Sequence, residues 1–207
     1  MAQKFTFTAI SDVHITDFHA GEDQFIRLMD VVSKIPTDLY VFPGDIVYQL
    51  DSWSDSTCRR LHTACYDFIN EKLAHYIPAS VPRIMVMGNH EYPQNNVDPL
   101  MTAEAYALWQ EKFAQKPLDH EIHHGYHFIK SPLYSWAMLP SVETEKWLMS
   151  EIDKALADDP EKPVFFLSHS PCPNTVAFSG DEHSFTDAFR CIYAAFCRTG
   201  RLICGAE

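Results

Sequence analysis

Four short polar motifs in this 207-residue chain contain the side chains that could bind metal ions. They are Asp12-Val13-His14, Gly44-Asp45, Gly88-Asn89-His90-Glu91 and Ser168-His169-Ser170-Pro171. Carboxylate oxygen, amide oxygen and imidazole nitrogen together favour Mn, Fe, Zn or a similar divalent ion. A carboxylate such as that of Asp45 can also bridge two ions about 3.5–4 Å apart, an arrangement suited to phosphoryl transfer. The motifs therefore predict a metal centre.

Each motif directly follows an apolar segment that is typical of a strand. The apolar and alternating patterns predict strands at 4–10, 39–42, 83–87, 126–129, 164–167 and 201–204. Helical spacing of apolar residues predicts helices at 23–34, 56–76, 102–115, 142–157 and 185–198. This alternation favours an α/β layered fold with largely buried strands. In such folds ligands gather beyond the carboxyl ends of the strands, so the motifs should meet at one edge.

Gly-Asn-His-Glu is the most specific of the four motifs. Four specified residues arise by chance in a chain of this length only about once in 1,000 chains. Asp-x-His or Gly-Asp alone would be an ordinary turn after a strand. The order of all four motifs and their places after strands favour a common metal centre.

Composition and charge narrow the function classes. The length and the 46% content of hydrophobic residues favour one folded domain over residues 1–207. The formal charge of −12 disfavours nucleic acid or an anionic membrane as a partner. No apolar run approaches the roughly 18 residues of a membrane span, and the segment MAQKFTFTAISDVH lacks the apolar h-region of a signal peptide. Six cysteines without a CxxC pair are typical of reduced thiols, so we expect a cytoplasmic protein.

Together the motifs resemble those of the calcineurin-like metallophosphoesterases. The resemblance covers nearly the whole chain and includes the segments GYHFI, EKWLMSEIDKAL and KPVFFLSHSP. It implies a four-layer α/β/β/α sandwich with a two-metal site. It also implies metal ligands at matching positions: Asp12 and His14 for the first ion, Asn89 and His169 for the second, and Asp45 bridging both.

The resemblance further implies an enzyme that hydrolyses phosphate esters. Its catalytic residues would be Asp45 and His90, with His90 beside the scissile phosphate to stabilise the transition state or protonate the leaving oxygen. Two divalent ions (Mn, Fe, Zn or similar) would activate a hydroxide for attack on phosphorus. The partner would be a small phosphate-ester substrate, whether monoester, diester, cyclic nucleotide or phospholipid headgroup.

The end of the chain departs from the family pattern. The family has a fifth motif, Gly-His-x-His, after one more helix and strand, whereas here Gly205 is followed by Ala206 and the final Glu207. We expect a domain that lacks its last strands, with one imidazole missing from each ion. The alternative is therefore a non-catalytic or regulatory binding protein with an impaired metal site. An exposed sheet edge would also permit a homodimer.

Three further features need separate interpretations. Tyr48 lies where many relatives carry an acid, a departure expected to have little effect. His183 could replace a missing ligand, although a solvated loop is favoured. The segment 120–124, HEIHH, matches the zinc-peptidase pattern His-Glu-x-x-His. That chemistry needs both histidines on one helix face, and Pro117 and Gly125 favour a surface turn instead.

Overall fold

The computed structural model describes residues 5–16, 21–48, 56–91, 99–132, 142–169 and 202–205. The chain divides into two compact units, Met1–Pro117 and Leu118–Glu207. Each unit contains one sheet with helices, which confirms the predicted α/β class. The predicted four layers remain a prediction.

The first unit contains a three-stranded parallel sheet in the order β1-β2-β3. Its strands are β1 (Phe7–Ala9), β2 (Leu39–Phe42) and β3 (Arg83–Met85). Its helices are α1 (Glu22–Val32), α2 (Ser56–Tyr76) and α3 (Pro99–Phe113), with a short 3₁₀ turn at Asn89–Glu91. The central strand β2 is apolar and buried along its whole length, as expected for a parallel strand covered on both faces.

Aromatic packing holds α2 against α3 in this unit. Tyr66 and Trp109 are fully buried and lie edge to face, with ring centroids 5.7 Å apart. Phe113 packs on both rings, at 5.0 Å from Tyr66 and 4.5 Å from Trp109. Trp109 is therefore a core residue.

The second unit contains a four-stranded sheet in the order β4-β5-β6-β7. Its elements are β4 (Asp119–His123), β5 (Tyr126–Lys130), α4 (Val142–Asp158), β6 (Val164–Leu167) and β7 (Leu202–Gly205). β4 and β5 form an antiparallel hairpin, and β6 and β7 pair in parallel. One face of the sheet packs on α4 through a core of six residues: Ile129, Leu148, Ile152, Ala155, Val164 and Phe166.

Most predicted elements are present within a few residues of their predicted bounds. Strands 39–42 and 164–167 have the predicted bounds, and the last strand begins at Leu202 rather than at 201. The predicted helix at 185–198 lies outside the described residues. In the part of the chain that the structure describes, no helix is long and apolar enough to cross a membrane.

β4 was not predicted from the sequence, and it contains most of the segment HEIHH. His120 pairs with Ile129 and Glu121 with Phe128, so these neighbours point to opposite faces of the sheet. A zinc peptidase needs both histidines on one helix face. Because residues 119–123 form a strand rather than a helix, the peptidase hypothesis is wrong. The expected surface turn is limited to His124 and Gly125, both with positive φ.

Hydrogen bonds between side chains attach this hairpin to α4. The ring of His120 contacts Glu151 through Nδ1 at 2.7 Å and His127 through Nε2 at 2.8 Å. His127 in turn contacts Asp158 at 3.0 Å. These histidines thus have structural partners within the second unit.

Glu121 forms an ion pair on the other face of the hairpin. Its carboxylate lies 3.2 Å from the ammonium group of Lys130, which is 1% exposed, and 3.0 Å from His123. Burial raises the pKa of Glu121, but the hydrogen bond from His123 and the charge and hydrogen bond of Lys130 together outweigh it, and the pKa lies below its usual value. Burial lowers the pKa of Lys130, and Glu121 partly offsets this effect.

We predict that Glu121→Ala lowers the free energy of unfolding by about 3 kcal/mol at pH 7, because it removes the carboxylate that lies 3.2 Å from a buried ammonium group. Burial lowers the folded-state pKa of Lys130, so the protonated ammonium group destabilises the folded chain. This penalty is fully present at pH values below the folded-state pKa. It fades as pH rises through that lowered value towards the unfolded value of about 10.4. Urea unfolding at pH 7 and pH 10 measures both effects.

The exposed acid Glu161 provides a matched control for this pair. Glu161→Ala should change stability by less than about 0.5 kcal/mol at either pH. An equal loss for Glu121→Ala at pH 7 and pH 10 would contradict the role assigned to Lys130.

Candidate metal centre

The main chain after β1 continues beside the main chain after β2. Asp12 donates its N–H to the carbonyl of Gly44 at 3.2 Å, and His14 donates to the carbonyl of Asp45 at 3.0 Å. These bonds extend the parallel pairing of the two strands past their carboxyl ends. Two of the predicted motifs are thereby held side by side.

Three of the predicted ligands have a left-handed backbone. The φ angles are 57° at Asp12, 50° at His14 and 51° at Asp45. A non-glycine residue in this region costs about 1–3 kcal/mol and persists only where the surrounding structure enforces it. Such strain is typical of functional sites.

The ligand atoms of His14, Asp45 and His90 all lie within 4.8 Å of one another. Oδ2 of Asp45 is 3.9 Å from Nε2 of His14 and 3.7 Å from Nε2 of His90. Oδ1 of Asp12 is 3.5 Å from Nε2 of His14. Because each ligand lies about 2.1 Å from a bound ion, two ligands of one ion can be at most about 4.2 Å apart. The separations among Asp12, His14 and Asp45 therefore fit a divalent ion with oxygen and nitrogen ligands.

A buried carboxylate, Glu91, holds the loop after β2 against the loop after β3. Its Oε2 accepts the N–H of Asp45 at 3.0 Å and of Gly88 at 2.6 Å, and its Oε1 accepts the N–H of Val47 at 3.0 Å. Its relative exposure is 0%. Glu91 is the last residue of the Gly-Asn-His-Glu motif, but no role was predicted for it from the sequence. Its position in the motif was the available signal, whereas two of its three partners, Asp45 and Val47, are more than 40 residues away.

Close packing of Gly88 and His90 orients the Asp45 carboxylate. A Cβ atom at Gly88 would overlap Oδ1 of Asp45, so only glycine allows this approach. The N–H of His90 donates to the same Oδ1 at 3.0 Å. Oδ2 remains the atom nearest the imidazoles of His14 and His90. Asp45 is 3% exposed, and its carboxylate is thus oriented before any ion binds.

A histidine that was not predicted from the sequence, His62, contacts the main chain of His90. Nε2 of His62 on α2 lies 3.2 Å from the carbonyl oxygen of His90, and His62 is 3% exposed. No sequence pattern distinguished His62 from the other helical residues. Its contact arises because α2 packs beside the 3₁₀ turn.

The structure brings Asp12, His14, Asp45 and His90 together within the first unit. Asn89 is half-buried at the start of the 3₁₀ turn. His169 belongs to the second unit, where it is buried two residues after β6. The ligand roles assigned from sequence to all of these residues stay predictions. His183, Ala206 and Glu207 lie outside the described residues.

A family model for calcineurin-like phosphoesterases matches residues 5–203 of the chain. Among solved structures, the fold is similar to that of a dimetal phosphatase from Danio rerio, with a TM-score of 0.64 and 13% identity over 97% of this chain and 79% of that chain. It is also similar to PhoD, with a TM-score of 0.57 and 12% identity over 98% of this chain and 50% of that one. At these identities the likeness concerns the fold alone. A sequence search of curated proteins found no match.

We predict that Glu91→Gln weakens metal binding although Glu91 is not a proposed ligand. The amide NH₂ would face backbone N–H donors, and an unsatisfied buried donor costs about 1–3 kcal/mol. Loss of a residue that orients a metal ligand typically lowers metal affinity about 10- to 100-fold. Urea unfolding of the metal-free chain and titration with Zn²⁺ measure the two effects.

Glu111→Gln on the exposed surface of α3 is the matched control and should alter neither quantity. Wild-type stability and zinc affinity in Glu91→Gln would show that the two loops hold their positions without this carboxylate.

Proposed function

Because this chain belongs to the calcineurin-like phosphoesterase family, we propose that it hydrolyses small phosphate esters with a centre of two divalent metal ions. The family is one of metal-dependent hydrolases that act on phosphate esters. The observation that supports the proposal most directly is the group formed by Asp12, His14 and Asp45 at the strand ends, where Nε2 of His14 lies 3.5 Å from Asp12 and 3.9 Å from Asp45. Its donor atoms are of the types that Mn, Fe and Zn prefer.

Electrostatics also support bound cations. The chain carries a formal charge of −12, and the carboxyl groups of Asp12, Asp45 and Glu91 belong to adjoining motifs at the same strand ends. A phosphate ester is itself an anion, so such a site requires local positive charge. When bound, divalent ions neutralise phosphoryl charge and lower the pKa of a coordinated water.

Asp12, His14 and Asp45 would hold the first ion in this proposal. Asn89 and His169 would hold the second ion, with Asp45 shared between the two. Oδ2 of Asp45 suits this role because Oδ1 already accepts the N–H of His90. Ligands that are oriented before binding lose little conformational freedom when an ion binds.

His90 would act on the leaving group rather than as a ligand. Its N–H and its carbonyl oxygen are both engaged, with Asp45 and His62, so the backbone that carries the ring is fixed. Its side chain is 17% exposed, which leaves the ring accessible to a substrate. An imidazole in this position can stabilise the developing charge or donate a proton to the leaving oxygen.

We predict that Asp45→Ala abolishes both metal binding and phosphatase activity, because both proposed ions lose the shared carboxylate. Metal analysis of the purified chain, paired with a 4-nitrophenyl phosphate assay, measures the two properties. We expect about two ions per wild-type chain and a reduced number in His169→Ala. Asp67→Ala, which removes an exposed acid on α2, should leave both properties intact. Unchanged metal occupancy in Asp45→Ala would contradict the proposed centre.

We predict that His90→Gln keeps the bound ions but lowers kcat on phenyl phosphate, whose leaving group needs a proton, by about 10²- to 10⁴-fold, the usual contribution of proton transfer. His75→Gln, at an exposed histidine on α2, is the matched control. A parallel loss of metal would make His90 a ligand instead. A wild-type chain with ions bound but without turnover would favour the non-catalytic binding protein.

A further inference from the structure

Tyr48 lies against the two imidazoles of the candidate centre. Its ring stacks on that of His90, with centroids 4.9 Å apart and an interplanar angle of 25°. It meets the ring of His14 edge to face at 5.6 Å and 65°. His14 and His90 are themselves edge to face at 4.9 Å and 88°. The three rings therefore form one contiguous aromatic cluster.

The backbone of Tyr48 is fixed although its side chain is exposed. Its N–H donates to the carbonyl of Ile15 at 2.9 Å, and Ile15 forms a parallel bridge with the neighbouring Val47. Glu91 accepts the N–H of Val47 as well. Tyr48 is 45% exposed, so one part of the ring covers His90 while the rest faces solvent. An aromatic ring on a fixed backbone provides a rigid support.

The stack with Tyr48 involves the imidazole of His90 itself. The main chain of His90 is held on both sides by Asp45 and His62, but these bonds do not determine the rotation of its ring. Stacking on Tyr48 restricts this rotation, because an offset aromatic pair has a preferred geometry.

We propose that Tyr48 is a positioning residue for His90 that holds the imidazole ready to donate a proton to the leaving oxygen. This inference rests on the role of His90 in the proposed function. The stack needs an aromatic ring but not the phenol hydroxyl. Tyr48→Phe should therefore retain the effect, whereas Tyr48→Leu keeps the apolar bulk and loses it.

Two aryl esters of similar shape test the proposal through their leaving groups. Phenolate departs poorly without a proton, whereas 4-nitrophenolate departs readily. For Tyr48→Leu we expect kcat on phenyl phosphate to fall about tenfold, within the range that an aromatic pair contributes, and kcat on 4-nitrophenyl phosphate to fall less than about twofold. In a His90→Gln background, Tyr48→Leu should have no further effect, because interacting residues are not additive.

A measurement without turnover tests the stack itself. In proton NMR spectra of the full chain, the ring current of Tyr48 should shift the His90 ring protons upfield, and the His90→Gln variant identifies their signal. We expect that signal to move downfield in Tyr48→Leu and to stay in place in Tyr48→Phe. Bound metal per chain should be equal in both variants, since the proposed action is on His90 rather than on His14.

Equal losses on the two esters, an unmoved His90 signal or a loss of bound metal in Tyr48→Leu would each overturn the proposal. If the wild-type chain hydrolyses neither ester, the proposed function fails. The NMR signal then still decides whether Tyr48 holds the imidazole of His90.

Discussion

The buried carboxylate of Glu91 is the interaction on which the arrangement of the candidate centre depends. It accepts three backbone N–H groups, two from the loop after β2 and one from the loop after β3. Hydrogen bonds to a charged group stabilise by about 1.5–3 kcal/mol each, and here they also replace the water that a buried charge loses. The result is a rigid junction between chain segments that are more than 40 residues apart. The strained backbone of Asp45 can persist because this junction enforces it.

The junction explains how an acidic chain can present an ordered group of side chains whose donor atoms suit a metal ion. Asp45 receives an N–H from His90 on one carboxylate oxygen and keeps the other near two imidazoles. His90 is held through its main chain, and Tyr48 covers its ring. Each contact reduces the conformational freedom that the site would otherwise lose on binding. The geometry therefore favours the metal-dependent hydrolysis for which the family is named.

Much of the fold was predictable because local patterns carried it. Buried strands such as LYVF and VFFL have the predicted bounds, since a short apolar run flanked by turn residues leaves few alternatives. β4 was missed because its residues, DHEIH, are polar and its stability comes from pairing with β5 and from side-chain partners on α4 and β5. Those partners are distant in sequence, so no local pattern reveals them. The roles of Glu91 and His62 were missed for the same reason.

The sequence by itself determined the α/β class, the order of the polar motifs and the kinds of donor atom they contain. These properties depend on residue type and on short-range spacing. Only the tertiary structure decided that Glu91 joins two loops, that the backbone at Asp12, His14 and Asp45 is left-handed, and that Tyr48 stacks on His90. Each of these features requires a contact or a constraint between residues that are far apart in the chain. Such contacts are set by packing and hydrogen-bond satisfaction across the whole unit, which local sequence does not encode.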